Sequence, residues 1–324
     1  MDITCLVDNS VQCGSQLFGE HGLSFLIETE AGRLLLDTGQ SGTVLQHNMD
    51  VLEIDPRSID ALAISHAHYD HTGGLPILLE QTTPGLRLFA NSTLFSERFS
   101  RSEKTVRSIG LSLSSDELSS KAELHLDGSP QEIFPGVWTT GEIIHRPYPM
   151  GRSPQHVVQK ADGWVPDPYR DDLSLVLESG PEVILLCGCC HAGLLNTLAH
   201  VEGRFGRPVG AIIGGTHLAK ADAAFLGQVV DVLQGMDRLR HVYLSHCSGE
   251  NAVHALLNAL GSEVVRPCPA GTQIEVGGRC RTAQFSRQRC PPGGQQPITT
   301  GRYHRVFQHR AALRWVHFRL SKFG

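Results

Sequence analysis

Residues 62–76 read LAISHAHYDHTGGLP. An apolar run suited to a buried strand ends in three histidines and an aspartate within six positions, and a Gly-Gly pair follows. Such a cluster suits a metal, because a catalytic zinc takes about three protein ligands from His, Cys and carboxylate and keeps one position open. In a turn leaving a strand, His66 and His68 would serve one ion while Asp70 and His71 face a second. With 17 His in the chain, the pattern H-x-H-x-D-H is expected by chance only about 0.002 times. Gly73 and Gly74 would let the backbone pass close to the ions as the next helix begins.

Outward from this stretch the chain alternates between strand and helix patterns. ITCLVDN, GLSFLIETE and GRLLLDTG read as early strands, IDALAISH as a strand ending at His66, and GGLPILLEQT as a short helix with proline near its first turn. NSTLFSERFSRSEKTVRS reads as amphipathic and helical, GVWTTGEII as a strand, and the Pro- and Gly-rich stretch up to residue 172 as a lid or substrate-binding excursion. From Leu173 onward, SLVLES and PEVILLCGC form a hairpin, followed by AGLLNTLAHVEG (helix), GAIIGGTHL (strand), DAAFLGQVVDVLQGM (helix), HVYLSHC (strand), ENAVHALLNAL (helix), EVVRPC and GTQIEV. Early strands followed by alternating strands and helices predict a layered α/β fold of two sheets sandwiched by helices. Both halves contain a strand ending in Ser-His, LAISH and VYLSH, which hints at an internal duplication.

Composition narrows the function. Net charge is −5, but from Arg279 onward there are ten basic residues and no acidic ones, leaving 18 Lys+Arg against 33 Asp+Glu before that point. The acidic body argues against a nucleic-acid enzyme, which needs a positive footprint for phosphate backbones. The expected organisation is a catalytic domain over 1–278 and a basic tail over 279–324. No run approaches the roughly 18 apolar residues of a membrane span, and no signal segment precedes the first strand, so a cytoplasmic location is expected. Nine cysteines, an odd number in a chain of this length, favour free thiols over a disulfide framework.

The motif at residues 66–71 resembles the signature of the metallo-β-lactamase fold superfamily, with His66, His68, Asp70 and His71 in its places. The resemblance implies a four-layer αββα sandwich with metals at one edge of the two sheets. It also implies that Asp37 of the DTG triplet stands behind the metal ligands, where a carboxylate fixes a histidine's tautomer and raises its basicity. SHAHYDHTGG, GCCHAG, GGTHL and SHCSGE together resemble the branch of dihydropterin ribofuranosyl-aminobenzene phosphate synthases, over roughly residues 3–277. In that branch His191 and His246 complete the two metal sites and His217 lies near the substrate, with His145 as the competing third ligand of the first ion. The superfamily usually places a metal-bridging aspartate where this chain has CGCCH, so Cys189 or Cys190 is either a thiolate ligand or a buried inert thiol.

The expected cofactor is zinc, two ions, with other divalent transition metals as alternatives. An ion lowers the pKa of water to roughly 7 and polarises the bond under attack, so hydrolysis is the least elaborate use of such a site. The expected activity is therefore hydrolysis of a small phosphorylated, ester or lactone substrate. Asp70 would orient the water, and His217 or Tyr69 would contact an oxyanion. Two alternatives stand beside it: a pterin-type transferase joining a dihydropterin diphosphate to a ribofuranosyl-aminobenzene phosphate, and a redox or non-catalytic metal-binding module. A small molecule is the expected partner. The excursion after His145, with Tyr148, Trp164 and Tyr169 among Arg146, Arg152, Lys160 and Arg170, would stack a flat ring and hold a phosphate or serve as an ordinary lid.

Overall fold

The computed structural model describes residues 1–276 and the backbone of one short strand at 281–282; the rest of the basic segment set apart at residue 279 lies outside the described residues. The first half contains strands β1 (Asp2–Val7), β2 (Ser24–Thr29), β3 (Gly32–Leu36), β4 (Ala61–Ala63), β5 (Leu86–Ala90), β6 (Phe99–Arg101), β7 (Val106–Ser108) and β8 (Ala122–Leu126). Among them lie helices α1 (Gly42–Val51), α2 (Tyr69–Thr72), α3 (Leu75–Gln81) and α4 (Ser115–Ser119). The second half runs β9 (Glu132–Phe134), β10 (Val137–Thr139), β11 (His156–Lys160), β12 (Gly163–Pro166), β13 (Ser174–Ser179), β14 (Glu182–Cys187), α5 (Leu194–Phe205), β15 (Val209–Gly214), α6 (Ala223–Gln234), β16 (His241–Leu244), α7 (Glu250–Leu260), β17 (Val265–Pro267), β18 (Thr272–Glu275) and β19 (Arg281–Thr282).

Two large sheets carry the fold, in the orders β19-β18-β1-β2-β3-β4-β5-β8 and β17-β16-β15-β14-β13-β10-β9. In each, antiparallel strands give way to parallel ones: β1, β2 and β3 are antiparallel and β3, β4, β5 and β8 parallel, while β10, β13 and β14 are antiparallel and β14 to β17 parallel. Side-chain alternation shows how the layers close. Leu34 and Leu36 of β3 point into the core between the sheets with Leu175, Leu177, Ile184 and Leu186, whereas Leu35 points outward to α1 and α3, against Leu45, Met49 and Leu78. On the second sheet, Val183 and Leu185 point outward to α5, α6 and α7. Both faces of each sheet are therefore covered, which is why these strands read as continuous apolar runs. The result is the αββα sandwich expected from the sequence.

From Leu173 to Glu275 the strands and helices follow in the expected order and α7 occupies ENAVHALLNAL end to end, although β15 stops at Gly214 and β16 at Leu244, short of the ends of GAIIGGTHL and HVYLSHC. Three expectations need correction. NSTLFSERFSRSEKTVRS is not a helix: it holds β6 and β7, which join β11 and β12 in a small sheet ordered β12-β11-β6-β7. Its apolar residues make an edge pairing with a strand more than fifty residues away, with Val157 opposite Phe99, a partnership no local period reports. The strand ahead of the motif is only Ala61–Ala63, so His66 stands on a loop rather than at the strand's last residue. GVWTTGEII is a strand only over Val137–Thr139.

Among the described residues, no helix is long and apolar enough to cross a membrane. The parallel strands of both sheets end at one edge, and the residues that follow them face one another there: Asp37 after β3, His66 after β4, Cys189 after β14, His217 after β15 and His246 after β16. Ligand sites of α/β sheets form beyond such carboxyl ends.

Candidate metal centre

The motif is a loop and a single helical turn. His68 precedes α2, and the turn carries Asp70 and His71. Both flanking glycines are required by close approach, although to a protein segment rather than to ions. A Cβ on Gly73 would stand 2.0 Å from the carbonyl oxygen of Gln40, and one on Gly74 would stand 2.3 Å from that of Thr38. The turn is thus pressed against the loop after β3, where Thr38 donates backbone and hydroxyl hydrogen bonds to the carbonyl of His71 at 2.8 and 3.0 Å.

Four histidine rings turn one nitrogen inward because the other is engaged. His66 Nδ1 meets Ser65 Oγ at 2.9 Å, His71 Nδ1 meets Asp37 Oδ2 at 2.6 Å, His191 Nδ1 meets the Gly151 carbonyl at 2.8 Å, and His246 Nδ1 meets Asn9 Oδ1 at 2.9 Å. The inward Nε2 atoms find donors and acceptors suited to a cation. His66 Nε2 lies 3.0 Å from His68 Nδ1, His71 Nε2 lies 3.2 Å from Cys189 Sγ, and His246 Nε2 lies 3.4 Å from Asp70 Oδ2. His191 Nε2 is buried with no hydrogen-bond partner, a state that is costly for a polar atom unless something fills the space in front of it. Donor atoms within 4.8 Å of one another form the sets His66/Cys189/His191, His71/Cys189/His246, Cys189/His217/Cys247 and His21/Asp70/His246. These donor sets fit a divalent metal.

Electrostatics agrees with ligation by neutral imidazoles. Burial, reinforced by the neighbouring rings, pushes His66 and His191 well below the ordinary histidine range, and burial likewise lowers His68. His71 behaves differently: burial alone would lower it, but Asp37 and Asp70 raise it to about 9. Asp37 itself is fully buried and also accepts from the Ser65 amide and hydroxyl, each at 2.7 Å, so one carboxylate orients two neighbouring motif residues. The backbone is forced here too. Of the six described non-glycine residues with positive φ, five (Asp37, Tyr169, Cys190, His217 and His246) surround this edge, where such conformations persist only if the surroundings over-determine them.

The left-handed turn at Cys190 sorts the two cysteines. Cys189 faces the histidines, while Cys190 packs among the apolar residues under α5, and its hydrogen bond with Cys187 together with burial holds its thiol well above the usual range. Gly188 allows this segment to lie against the motif, since a Cβ there would meet Ser65 Oγ at 2.1 Å. Gly188→Ala should therefore cost about 1–3 kcal/mol in denaturant unfolding, the usual range for overpacking a tight site. It should also lower metal affinity by moving Ser65 and Asp37.

Beside the donors is a cavity of about 160 Å3, lined by Tyr69, Arg107, His156 and His217 among others. His217 carries a buried Nδ1 without a partner. Tyr69 lies under the Arg107 guanidinium, 5.3 Å from the ring centre. Of the sequence-predicted site residues, His66, Asp70, His71, His191, His217 and His246 belong to the donor sets; His68 belongs to none but is buried beside His66 with its Nε2 unpartnered, whereas His145 is exposed and belongs to none. Most of the residues expected to stack a ring or bind a phosphate have structural partners instead. Arg146 donates to the carbonyls of Pro168 and Tyr169, Arg170 pairs with Glu142, and Tyr169 stacks on His191 at 4.3 Å. Sequence reasoning missed His21, 3.3 Å from Asp70; His156, at 4.9 Å from the His68 ring; and Asp8, which accepts the His246 amide. The one available signal was the polar Asp8-Asn9 pair closing an apolar strand.

A sandwich with clustered His, Asp and Cys donors at the strand ends defines a metal-dependent enzyme. Residues 17–188 match the metallo-beta-lactamase superfamily, and the chain belongs to that family. It is 27% identical over 276 residues to 7,8-dihydropterin-6-methyl-4-(beta-D-ribofuranosyl)-aminobenzene-5'-phosphate synthase of Methanocaldococcus jannaschii, a match covering 82% of this chain and 93% of that protein. The solved structure of Tm1679, a metal-dependent hydrolase of the beta-lactamase superfamily, is similar at 26% identity and a TM-score of 0.72, covering 85% of this chain and 99% of that one. Zn(2+)-bound PqqB from Methylobacterium extorquens shares the fold, with a TM-score of 0.53 and 12% identity over 85% of this chain and all of that one. Membership implies a divalent metal.

Proposed function

We propose that the chain is a metal-dependent hydrolase of a small phosphorylated substrate. The observation that carries this reading is the convergence of His66, His71, His191 and His246 Nε2 on Asp70 and Cys189 while every Nδ1 is engaged. His66, His68 and His191 would hold one ion and Asp70, His71 and His246 the other. Zinc is the ion we assign, because imidazole and thiolate donors suit it. Bound ions would supply an activated water and polarise the bond under attack.

The residues around them do the rest. Asp70 Oδ2 lies 3.3 Å from His21 Nε2, 3.8 Å from His71 Nε2 and 3.4 Å from His246 Nε2, so it is oriented by three rings and can align the attacking water. His217 presents its unpartnered Nδ1 to negative charge developing in the transition state. Arg107 lines the cavity, and the charge of Lys220 is felt by both His156 and His217. The Arg107 guanidinium in the cavity lining favours a phosphoryl group over a neutral lactone. At about 160 Å3 the cavity is smaller than the roughly 300–1,000 Å3 of pockets that enclose whole ligands, so it would admit the reacting group and leave the remainder outside.

Dialysis against a chelator should abolish turnover of phosphodiester or diphosphate substrates, and zinc should restore it. Rapid turnover of nitrocefin, or full activity without metal, would overturn the reading. A second reading is favoured by the match across nearly the whole length of the synthase: transfer of a dihydropterin group from its diphosphate to a ribofuranosyl-aminobenzene phosphate. Incubation with both substrates discriminates, since formation of the joined product faster than hydrolysis of the diphosphate would replace the hydrolase assignment.

A further inference from the structure

We infer that Cys189 Sγ is a ligand shared by the two metal positions, a thiolate bridge that makes the pair selective for soft-tolerant ions such as zinc, iron(II) and cobalt(II). The inference rests on the metal-pair reading above and concerns what joins its halves.

Cys189 is the one residue common to the set containing His66 and His191 and the set containing His71 and His246. Its sulfur stands 3.2 Å from His71 Nε2 and 3.4 Å from Cys247 Sγ. Its surroundings are mixed: the Cys247 thiol donates to it, His71 Nε2 stands beside it, and His191 Nε2, a member of the same donor set, has no hydrogen-bond partner at all. A cation between the sulfur and the imidazoles accounts for all of them at once. The local backbone has this effect as well: the left-handed residue Cys190 sends its own side chain into the core and leaves Cys189 and His191 on the same side of the turn. None of the donor sets that contain Cys189 includes a carboxylate; Asp70 falls in the set with His21 and His246. When the sulfur binds, the S–H proton passes to solvent and the sulfur donates one lone pair to each ion. Softer sulfur donors favour zinc, iron and cobalt, whereas magnesium and manganese prefer oxygen.

Metal-free protein titrated with cobalt(II) reports sulfur ligation through the near-ultraviolet sulfur-to-cobalt charge-transfer band, without reference to activity. The wild-type chain should bind two equivalents, with the band growing through both. C189S should lose the band, and C189A should bind the second ion more weakly by at least the ~10–100-fold that loss of a mere outer partner costs. C189D, which returns an oxygen donor to the centre, should bind two ions without the band. It should also narrow the preference for zinc over manganese by about tenfold or more. C247S should keep the band. Circular dichroism of the metal-free variants identifies any that fail to fold, and the wild-type titration decides independently of them.

A band that survives in C189S and disappears in C247S overturns the inference. So does a band that saturates at one equivalent, or two ions bound with no band. In those cases the metal-pair reading stands, while a wild-type chain that binds no cobalt overturns both together.

Discussion

His191→Ala should remove one equivalent of metal and lower kcat/KM by about a thousandfold or more, a loss of roughly 4 kcal/mol of transition-state stabilisation. His145→Ala should change neither. The two residues are competing candidates for the same ligand in the sequence, and the fold separates them. The His191 ring lies nearly parallel to Tyr169 at 4.3 Å, its Nδ1 is fixed on the Gly151 carbonyl, and its Nε2 is buried and unpartnered toward His66 and Cys189. Truncation removes a direct donor, empties the space beside Tyr169 and strands a carbonyl, so the effect should exceed the ~10–100-fold typical of losing an outer partner. His145 is exposed and meets no donor set. Elemental analysis with steady-state kinetics on both variants checks this. Metal loss in His145→Ala with full metal in His191→Ala would reverse the ligand assignment.

The sandwich was legible because its strands are covered on both faces, giving uninterrupted apolar runs such as Leu34 to Leu36 whose alternate residues enter different layers. Half the proposed metal centre can be read locally for a different reason: His66, His68, Asp70 and His71 come from one loop and the turn that follows it. The remaining donors sit beyond strands whose positions follow from pairing. His246 meets Asn9 across 237 residues of chain, and nothing near either residue announces the other. Least visible was the small sheet of β6, β7, β11 and β12. Its strands are short and half-exposed, so they lack the periodicity that identifies buried elements. This sheet and its flanks nevertheless contribute Arg107, Ile109 and His156 to the cavity.

The same region hides the group with the largest expected effect on stability. Arg98 is 2% exposed, yet its Nη1 contacts both oxygens of Asp167 at 3.0 Å and its Nη2 reaches Asp171 at 2.7 Å. Both carboxylates also hold backbone, Asp167 accepting the Tyr169 amide at 2.7 Å and Asp171 the Ala67 amide, within the metal motif, at 2.8 Å. Arg98→Met should therefore cost about 3–5 kcal/mol in denaturant unfolding, because it strands two buried charges. Arg98→Lys should recover only part of this, since an ammonium lacks the planar fork.

The deficit should also depend on pH. Burial already raises the Asp171 pKa, with Arg98 as the chief opposing influence, so removing the guanidinium raises it further. A carboxyl whose folded pKa lies above its unfolded value binds more protons when folded, and stability falls as pH rises from the unfolded value through the folded one. The variant should thus be further from wild type at pH 7 than near pH 4.5. Adding Asp171→Asn to Arg98→Met should restore part of the loss by removing one stranded charge, although an amide replaces the acceptor that holds Ala67. Unfolding free energies for the single and double variants at both pH values give the coupling directly. A deficit below about 1 kcal/mol, or one that does not change with pH, would mean that the ion pair is dispensable to the loop carrying His66 and His68.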